Sequence, residues 1–187
     1  MAMPYPHKIK KTMIKQGIAQ EIIDRFDFPD SLSIHNTIAL IDQMDRLLTK
    51  EQRLRIMEEQ GCVKTGKMNV TSLAFGGKYA DKTLEEKIAL LDSADIAYRG
   101  PCRLNDDGTF SVFGYEHDGV YTCGCHEIMK LPEQPTNVSV TYCGCCAGLW
   151  RHMYQNALGV KLQLIEVTSS ALSTNGAKRC EFLFEIL

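Results

Sequence analysis

The stretch "YCGCCAGLWRHMYQNAL", residues 142–158, decides the fold that the sequence predicts. From residue 146 onward, apolar side chains recur at intervals of three and four residues, which is the spacing of one face of an α-helix. This apolar face consists of Cys146, Leu149, Trp150, Met153, Tyr154 and Ala157. We therefore predict a helix over residues 146–158 whose apolar face covers a sheet.

Segments on both sides of this helix have the composition of short antiparallel strands. They are rich in aromatic and β-branched residues, and Gly, Asp or Pro separates them. The segments before the helix are "GTFSVFGYE" (108–116), "GVYTCGCHEIM" (119–129) and "NVSVTYCG" (137–144). The segments after it are "KLQLIEVTSSAL" (161–172) and "CEFLFEIL" (180–187). The turn dipeptide Asn175-Gly176 lies between the last two, which we predict to pair as a hairpin.

Residues 1–100 are predicted to be mainly helical. A first helix covers most of "KKTMIKQGIAQEIIDRF" (10–26), where apolar side chains lie near helical spacing. A second begins at Ser31 or Ser33 and stops near Thr49. We expect this helical region to pack on the α+β unit of residues 101–187, so that the chain forms one compact unit.

Two capping-box patterns, "TKEQ" (49–52) and "TLEE" (83–86), open further helices. In this pattern a threonine and a Gln or Glu three residues later satisfy each other's free backbone N–H groups. Between them, "GCVKTGK" (61–67) has the GxxxxGK skeleton of a phosphate-binding loop. Met68 stands where such a loop needs a Ser or Thr to bind Mg²⁺, so we predict a helix end followed by a loop.

Composition and charge narrow the class of protein. The 187 residues are 44% hydrophobic and 24% charged, with a formal net charge of −2. Because no basic stripe is present, nucleic acid is not an expected partner. No apolar run resembles a signal peptide or a membrane span, so we expect a cytoplasmic protein with no membrane partner. In that reducing compartment, clustered cysteines bind metal or react more often than they form disulfides.

Five of the eight cysteines lie within residues 123–146. Side chains alternate between the faces of a strand, so Cys123 and Cys125 would project from one face. Cys143 and Cys145 would do the same if their strand persists. Thiolates suit Zn²⁺, Cu(I) or an iron–sulfur cluster. We therefore predict that these four thiols hold one soft metal, with Zn²⁺ at sulfur–metal distances of about 2.3 Å as the first choice.

Three nearby residues extend the predicted site. Cys62 follows a predicted helix and is a candidate further metal ligand. Cys146 begins the helix, where the helix dipole lowers the pKa of a thiol. His126 would face away from Cys125 in an ideal strand, although a turn could bring it in. The alternative is that the cysteines are small buried hydrophobes, as free cysteine often is.

The C-terminal segment "YCGCCAGLWRHMYQNALGVKLQLIEVTSSALSTNGAKRCEFLFEI", residues 142–186 and about a quarter of the chain, resembles the end of the 4-vinyl reductase domain. That domain is a bacterial and archaeal small-molecule-binding module. The matching features are the Cys-Gly start, Gly148, the strand through Glu166, Gly176, Cys180 and Phe182. A group of Cys-rich bacterial proteins is also similar, through Cys123, Cys125, Tyr142, Cys143 and Cys145.

The resemblance implies an α+β ligand-binding fold in which helices and a sheet enclose an apolar pocket. The 4-vinyl reductase domain itself looks like a relative of haem–nitric-oxide-binding domains and of vesicle-tethering subunits. This sequence departs from the domain after Glu166, where a cysteine is usual but residues 167–169 are Val-Thr-Ser. The departure argues against a metal site of the domain's own kind, which pairs that cysteine with Cys180.

Together these observations predict a cytosolic, metal-associated small-molecule-binding or sensor protein. We expect a cavity on the order of 300–1,000 Å³, lined by Trp150 or Tyr154, with Cys146 and His126 near a small apolar or mixed-polarity ligand. A homodimer is left open. One alternative is an enzyme, either a zinc-dependent hydrolase or a thiol catalyst that uses Cys146 or Cys145. The other alternative is a protein–protein adaptor in which the metal site is purely structural.

Overall fold

A computed structural model describes residues 4–31, 33–61, 65–93, 101–114, 116–117 and 119–187. Within these ranges the first half of the chain folds into six helices. Their bounds are α1 Pro6–Lys15, α2 Gln20–Ile23, α3 Ile34–Leu47, α4 Lys50–Glu59, α5 Gly66–Lys78 and α6 Leu84–Ser93. The described part of the first half is therefore mainly helical.

The second half contains the strands and the longest helix of the described chain. In chain order its elements are β1 Cys102–Leu104, β2 Phe110–Phe113, β3 Glu116–His117, β4 Val120–Tyr121, α7 His126–Met129, a 3-10 helix Val140–Cys143, α8 Gly144–Leu158, β5 Leu162–Ser169 and β6 Glu181–Ile186. Helices and antiparallel strands thus occur in one chain, which confirms the predicted α+β class.

The capping residues predicted from the sequence begin three helices. Thr49 and Gln52 form a reciprocal capping box at α4. Thr83 and Glu86 exchange the same two hydrogen bonds before α6, and the Ser33 side chain caps α3. These side chains satisfy backbone N–H groups that have no partner within the helix. The predicted starts of α3, α4 and α6 are confirmed.

Two helical segments differ from the prediction. Gly17 has a φ of +73°, which a right-handed helix cannot continue, so α1 ends there and the single helix predicted over residues 10–26 is wrong. α5 occupies a stretch beginning at Gly66, where the sequence predicts a loop; residues 62–64 of that segment lie outside the described ranges. Its Gly76-Gly77 pair lowers helix propensity, and packing on α8 stabilises the helix instead.

Four strands form one antiparallel sheet in the order β1-β2-β6-β5, and β3 pairs with β4 separately. In the middle of the larger sheet, Phe182 lies opposite Val112 on one side and Val167 on the other. β5 and β6 pair as predicted, and Asn175 and Gly176 in their connection both have positive φ. The predicted hairpin is confirmed, with residues 170–180 as its connection.

The cysteines between β4 and α8 do not lie in strands, so the strand prediction is wrong for these positions; within the segment 119–129, Val120–Tyr121 forms β4. Cys123 and Cys125 lie in the loop between β4 and α7, with Cys125 as the N-cap of α7. Cys143 ends the 3-10 helix, which runs directly into α8. Ser139 Oγ accepts a hydrogen bond from the backbone N–H of Thr141, and such local bonds favour a turn over an extended strand.

α8 lies between the sheet and the N-terminal helices. On one side, the ring of Tyr154 packs edge-on against Phe110 of β2, with 5.3 Å between ring centroids. On the other side, α8 crosses α4 at Gly144 and Gly148. A Cβ atom on Gly148 would overlap the backbone carbonyl oxygen of Glu58 in α4. The two glycines therefore allow close backbone approach, and the helix covers the sheet as its apolar face predicts.

The C-terminal end of α8 is held by α5 and α6. Lys87 of α6 is 8% exposed, and its Nζ donates a hydrogen bond to the carbonyl oxygen of Leu158 at 2.9 Å. A cation is favourable at this end of a helix dipole. Gly159 adopts the left-handed conformation and ends the helix. Across the described ranges, no helix combines the length and the apolar character needed to cross a membrane.

Candidate functional site

A cavity of about 210 Å³ lies beside the first half of α8. Its apolar walls come from α5, α8 and β6, through Met68, Leu149, Trp150 and Phe182. The loop of residues 122–124 also lines it, and Thr122 and Gly124 there are exposed to solvent. The cavity predicted along this helix is therefore present, although it is smaller than the expected range.

Four cysteines line the same cavity, from four separate segments of the chain. Cys123 comes from the loop before α7, Cys143 from the 3-10 helix, Cys146 from α8, and Cys180 from the residue before β6. All four are free thiols; three are buried, and Cys146 is partly exposed. The fold therefore brings soft sulfur atoms and hydrocarbon walls together around one space.

Cys143 and Cys180 both line the cavity, and each changes the pKa of the other. The backbone N–H of Ala171 approaches the sulfur of Cys180 at 3.5 Å. The interaction with Cys143 lowers the pKa of Cys180 to about 7. The same interaction and burial raise the pKa of Cys143. The pair therefore holds one readily ionised thiol and one that keeps its proton.

The pKa of Cys123 is shifted in the opposite direction to that of Cys180. Burial raises the pKa of Cys123, and the neighbouring Cys146 raises it further. A backbone N–H from Cys125 approaches the Cys123 sulfur at 3.4 Å and acts in the other direction, but it is the smaller effect. Two thiols on the wall of one cavity thus differ in their tendency to ionise.

Cys125 and Cys145 belong to the protein core and are not among the residues that line the cavity. The sulfur of Cys125 lies 3.4 Å from the hydroxyl oxygen of Tyr142, and burial raises the pKa of both groups. Cys145 is fully buried on α8. Of the four predicted metal ligands, the structure therefore brings Cys123 and Cys143 to the cavity and leaves the other two beside it.

Some of the residues predicted to contact a ligand line the cavity, and others do not. Cys146 and Trp150 line the cavity. Tyr154 is 1% exposed and packs against Phe110, so its role in the described structure is core packing. His126 begins α7 and is partly exposed, with its Nδ1 atom 3.2 Å from a carboxylate oxygen of Glu127.

The chemistry of the four cavity thiols suits a soft metal, but their arrangement here does not form a metal centre. Among the described residues, no group of three or more His, Cys, Asp or Glu side chains is placed to hold a metal ion. Structural zinc sites have four protein ligands, so zinc would require these thiols to move closer together. Cys62 lies outside the described ranges, and its predicted role stays a prediction.

Cys180 is the cavity cysteine that the sequence-based site omits. Its segment "CEFLFEIL" contains the signal that could have found it. Side chains two residues apart in an extended segment lie on the same face, so Cys180 and Phe182 point the same way, and both line the cavity. Trp150, which the helical spacing already identifies, lines the same cavity.

Comparisons with known proteins give one structural similarity. No protein-family model matches the chain, and no curated protein does. The chain is similar to an H-NOX protein from S. oneidensis solved in the Fe(II)NO ligation state, with 9% sequence identity over 100% of this chain and 99% of that chain. The TM-score is 0.36. We therefore base the function on the residues of the site itself.

Proposed function

We propose that this protein binds a small, largely apolar molecule in the cavity beside α8 and acts as a sensor of that molecule. The observation that supports this proposal is the convergence of Cys123, Cys143, Cys146 and Cys180 on one apolar cavity. Cysteines that serve only as small hydrophobes pack against their neighbours without leaving such a space. The resemblance of residues 142–186 to a small-molecule-binding domain supports the same function.

The size of the cavity limits the ligand. An apolar cavity of about 150 Å³ can hold benzene, so a cavity of about 210 Å³ has room for one ring with a small substituent. Trp150 and Phe182 offer aromatic surface, and the sulfur atoms offer polarizable contacts. The ligand is therefore expected to be smaller than a typical enzyme cofactor.

A ligand in this cavity would act directly on α8, which also packs against α4 and α5. Gly144 and Gly148 leave no clearance between α8 and α4. Because close-packed helices transmit displacement, a shift of α8 on binding would reach the N-terminal helices. This coupling is why we favour sensing over simple storage.

Trp150 provides a direct test, since it is the only tryptophan of the chain. Titration with toluene should change its fluorescence in a saturable manner. Cys146→Leu fills the cavity and should abolish the change. Leu73→Met alters a side chain that is 52% exposed on α5 and should leave the titration curve as in the wild type. A fluorescence change that is equal in all three proteins, or absent from all, would refute the proposal.

A soft metal ion, with Zn²⁺ as the first choice, is the second candidate ligand. Backbone N–H groups approach the sulfur atoms of Cys123 and Cys180, and such bonds stabilise thiolates that bind metal. Because a thiol loses its proton on binding, metal affinity should fall as the pH falls. Elemental analysis of protein purified without added metal tests this candidate. Less than stoichiometric metal, together with a melting temperature that chelator leaves unchanged, would rule out a metal ion as the ligand.

A further inference from the structure

Cys146 is the cavity cysteine that borders both the apolar space and the solvent. Four cysteines line the cavity, and three of them, Cys123, Cys143 and Cys180, are buried. Cys146 is partly exposed, and it lies on α8. Of the four thiols, it is therefore the most accessible to a small molecule that arrives from solvent.

The surroundings of Cys146 suit an uncharged ligand. Leu149 and Trp150 follow Cys146 by three and four residues, so they share its face of α8, and both line the cavity with it. No charged side chain is among the described residues that line this space. Because burial of an unpaired charge is costly, the cavity favours neutral molecules, and the thiols are its strongest nucleophiles.

We propose that the cavity receives small, uncharged α,β-unsaturated carbonyl compounds and that the thiol of Cys146 binds them covalently. The inference rests on the proposed function, because it uses the same cavity, and it adds the class of ligand and the bond that holds it. In such a compound the β-carbon of the conjugated double bond is a soft electrophile, which a cysteine thiolate attacks readily. The rest of the molecule is hydrocarbon, which the aromatic and aliphatic walls accept.

Two features favour this addition over the other reactions of a thiol. Acyl transfer and hydrolysis need a general acid or base such as His, Asp or Glu, and none of these is among the described residues that line the cavity. Addition to a conjugated double bond releases no leaving group, so the side chains present suffice. The volume of about 210 Å³ also holds one ring with a short substituent.

The binding step joins the two molecules without loss of any atom. The sulfur of Cys146 forms a bond to the β-carbon, and the π bond between the α- and β-carbons breaks. Its electron pair passes to the carbonyl group as an enolate, and the proton that the thiol gave up ends on the α-carbon. The product is a thioether, so no oxidant, reductant or further reactant is required.

The test compares two reagents that carry the same reactive ring, N-ethylmaleimide and 3-maleimidopropionic acid, on the full-length protein. The acid carries an additional carboxylate, which an apolar cavity excludes. Peptide mapping after timed treatment at neutral pH gives the rate at each cysteine. We expect Cys146 to react about tenfold or more faster with N-ethylmaleimide than with the acid. The fluorescence of Trp150 should change as the adduct forms.

Cys102 is the internal control, since it is also partly exposed but does not line the cavity. Its rates with the two reagents should agree within about twofold, because no apolar space selects between them there. Toluene at its dissociation constant should lower the rate at Cys146 by about half through competition and leave the rate at Cys102 unchanged. Equal rates with both reagents at Cys146, or no protection by toluene, would overturn the inference.

Cys146→Ser and Cys102→Ser form a matched pair of variants. N-ethylmaleimide should change the fluorescence of Trp150 in Cys102→Ser as in the wild type and leave it unchanged in Cys146→Ser. A change that persists in Cys146→Ser would contradict the inference, because another thiol then forms the bond. The comparison of the two reagents needs no substitution, so the test stays decisive if a variant fails to fold.

The outcomes also separate this inference from the proposed function. A saturable fluorescence response to toluene, together with equal rates of the two maleimides at Cys146, would overturn the inference alone. If toluene neither changes the fluorescence of Trp150 nor protects Cys146, both proposals fail.

Discussion

The two faces of α8 pack in opposite ways, although both arise from the seven residues "GCCAGLW" (144–150). On one face, Gly148 lies against the backbone of α4 at Glu58, and Gly144 lies against the side chain of Met57. On the other, Cys146 and Trp150 border a cavity of about 210 Å³. The cavity is therefore not a sign of a loosely packed helix. Tight contact on one face holds the helix in place, so the other face can remain open to a ligand.

An ion pair strengthens the closely packed face. Arg151 of α8 lies 3.0 Å from Glu58 of α4, measured between Nη1 and Oε1, and the Glu58 side chain is 8% exposed. A buried carboxylate needs such a partner, since burial of an uncompensated charge is costly. Backbone contact and charge pairing thus act together where α8 meets α4.

Adding one methyl group to the closely packed face should have the largest effect. In Gly148→Ala the new Cβ atom would overlap the backbone oxygen of Glu58, which cannot move aside as a flexible side chain would. We expect the free energy of unfolding to fall by about 3 kcal/mol, the upper end for overpacking. Urea unfolding measures this change.

Gly77→Ala is the control for that substitution. Its Cβ atom would meet nothing within 4 Å, and alanine is the better helix former, so stability should rise by up to about 1 kcal/mol. If Gly148→Ala were as stable as the wild type, the result would contradict the close approach of α4 and α8 described here.

The cavity thiols should separate by pH in an alkylation experiment. Cys143 and the backbone N–H of Ala171 lower the pKa of Cys180 to about 7, whereas burial raises the pKa of Cys123. Only the thiolate reacts, so the rate at Cys180 should increase about tenfold from pH 6 to pH 8 and then level off. The rate at Cys123 should still be rising at pH 9.

Peptide mapping after timed treatment with iodoacetamide gives both rates from one sample, which cancels differences in handling. The shape of each pH profile is decisive, since burial slows the absolute rate of either thiol. Profiles with the same midpoint would show that Cys143 does not set the ionisation of Cys180.

Adding atoms to the open face should have the smallest effect on stability. Cys146→Leu introduces apolar volume into the cavity, and filling a cavity typically raises the free energy of unfolding by about 0.5–2 kcal/mol. We expect a gain near the lower limit, because Cys146 is partly exposed. Thermal unfolding in parallel with Gly148→Ala compares the two faces. A loss of more than 1 kcal/mol would mean that the open face is packed as tightly as the other.

Helix starts and the main helix were predictable because they depend on local chemistry. Thr49 with Gln52 encodes a cap within four residues, and the apolar spacing of α8 needs no distant partner. The single helix over residues 10–26 failed because Gly17 takes a positive φ, which glycine permits but does not require. α5 was missed because packing on α8, rather than its own propensity, stabilises it.

The sequence indicated where the candidate site lies, but it did not identify all of the residues that line it. The density of cysteines pointed to the start of α8, and Cys123, Cys143, Cys146 and Trp150 do line the cavity. Strand alternation wrongly grouped Cys125 and Cys145 with them, because those segments form turns and helix starts. The spacing of Cys180 and Phe182 puts both on one face, but it is the sheet topology, with β6 between β2 and β5, that brings this face to the cavity. No local pattern specifies that order.

The central claim is that the Cys146 and Trp150 face of α8 borders a space that a small apolar molecule can enter. Xenon binds in empty apolar cavities, so diffraction from xenon-pressurised crystals tests the claim without a choice of ligand. We predict an ordered xenon atom against Trp150 and Phe182, and none between α4 and α8. Crystals that take up xenon elsewhere but show no density beside Trp150 would contradict the account.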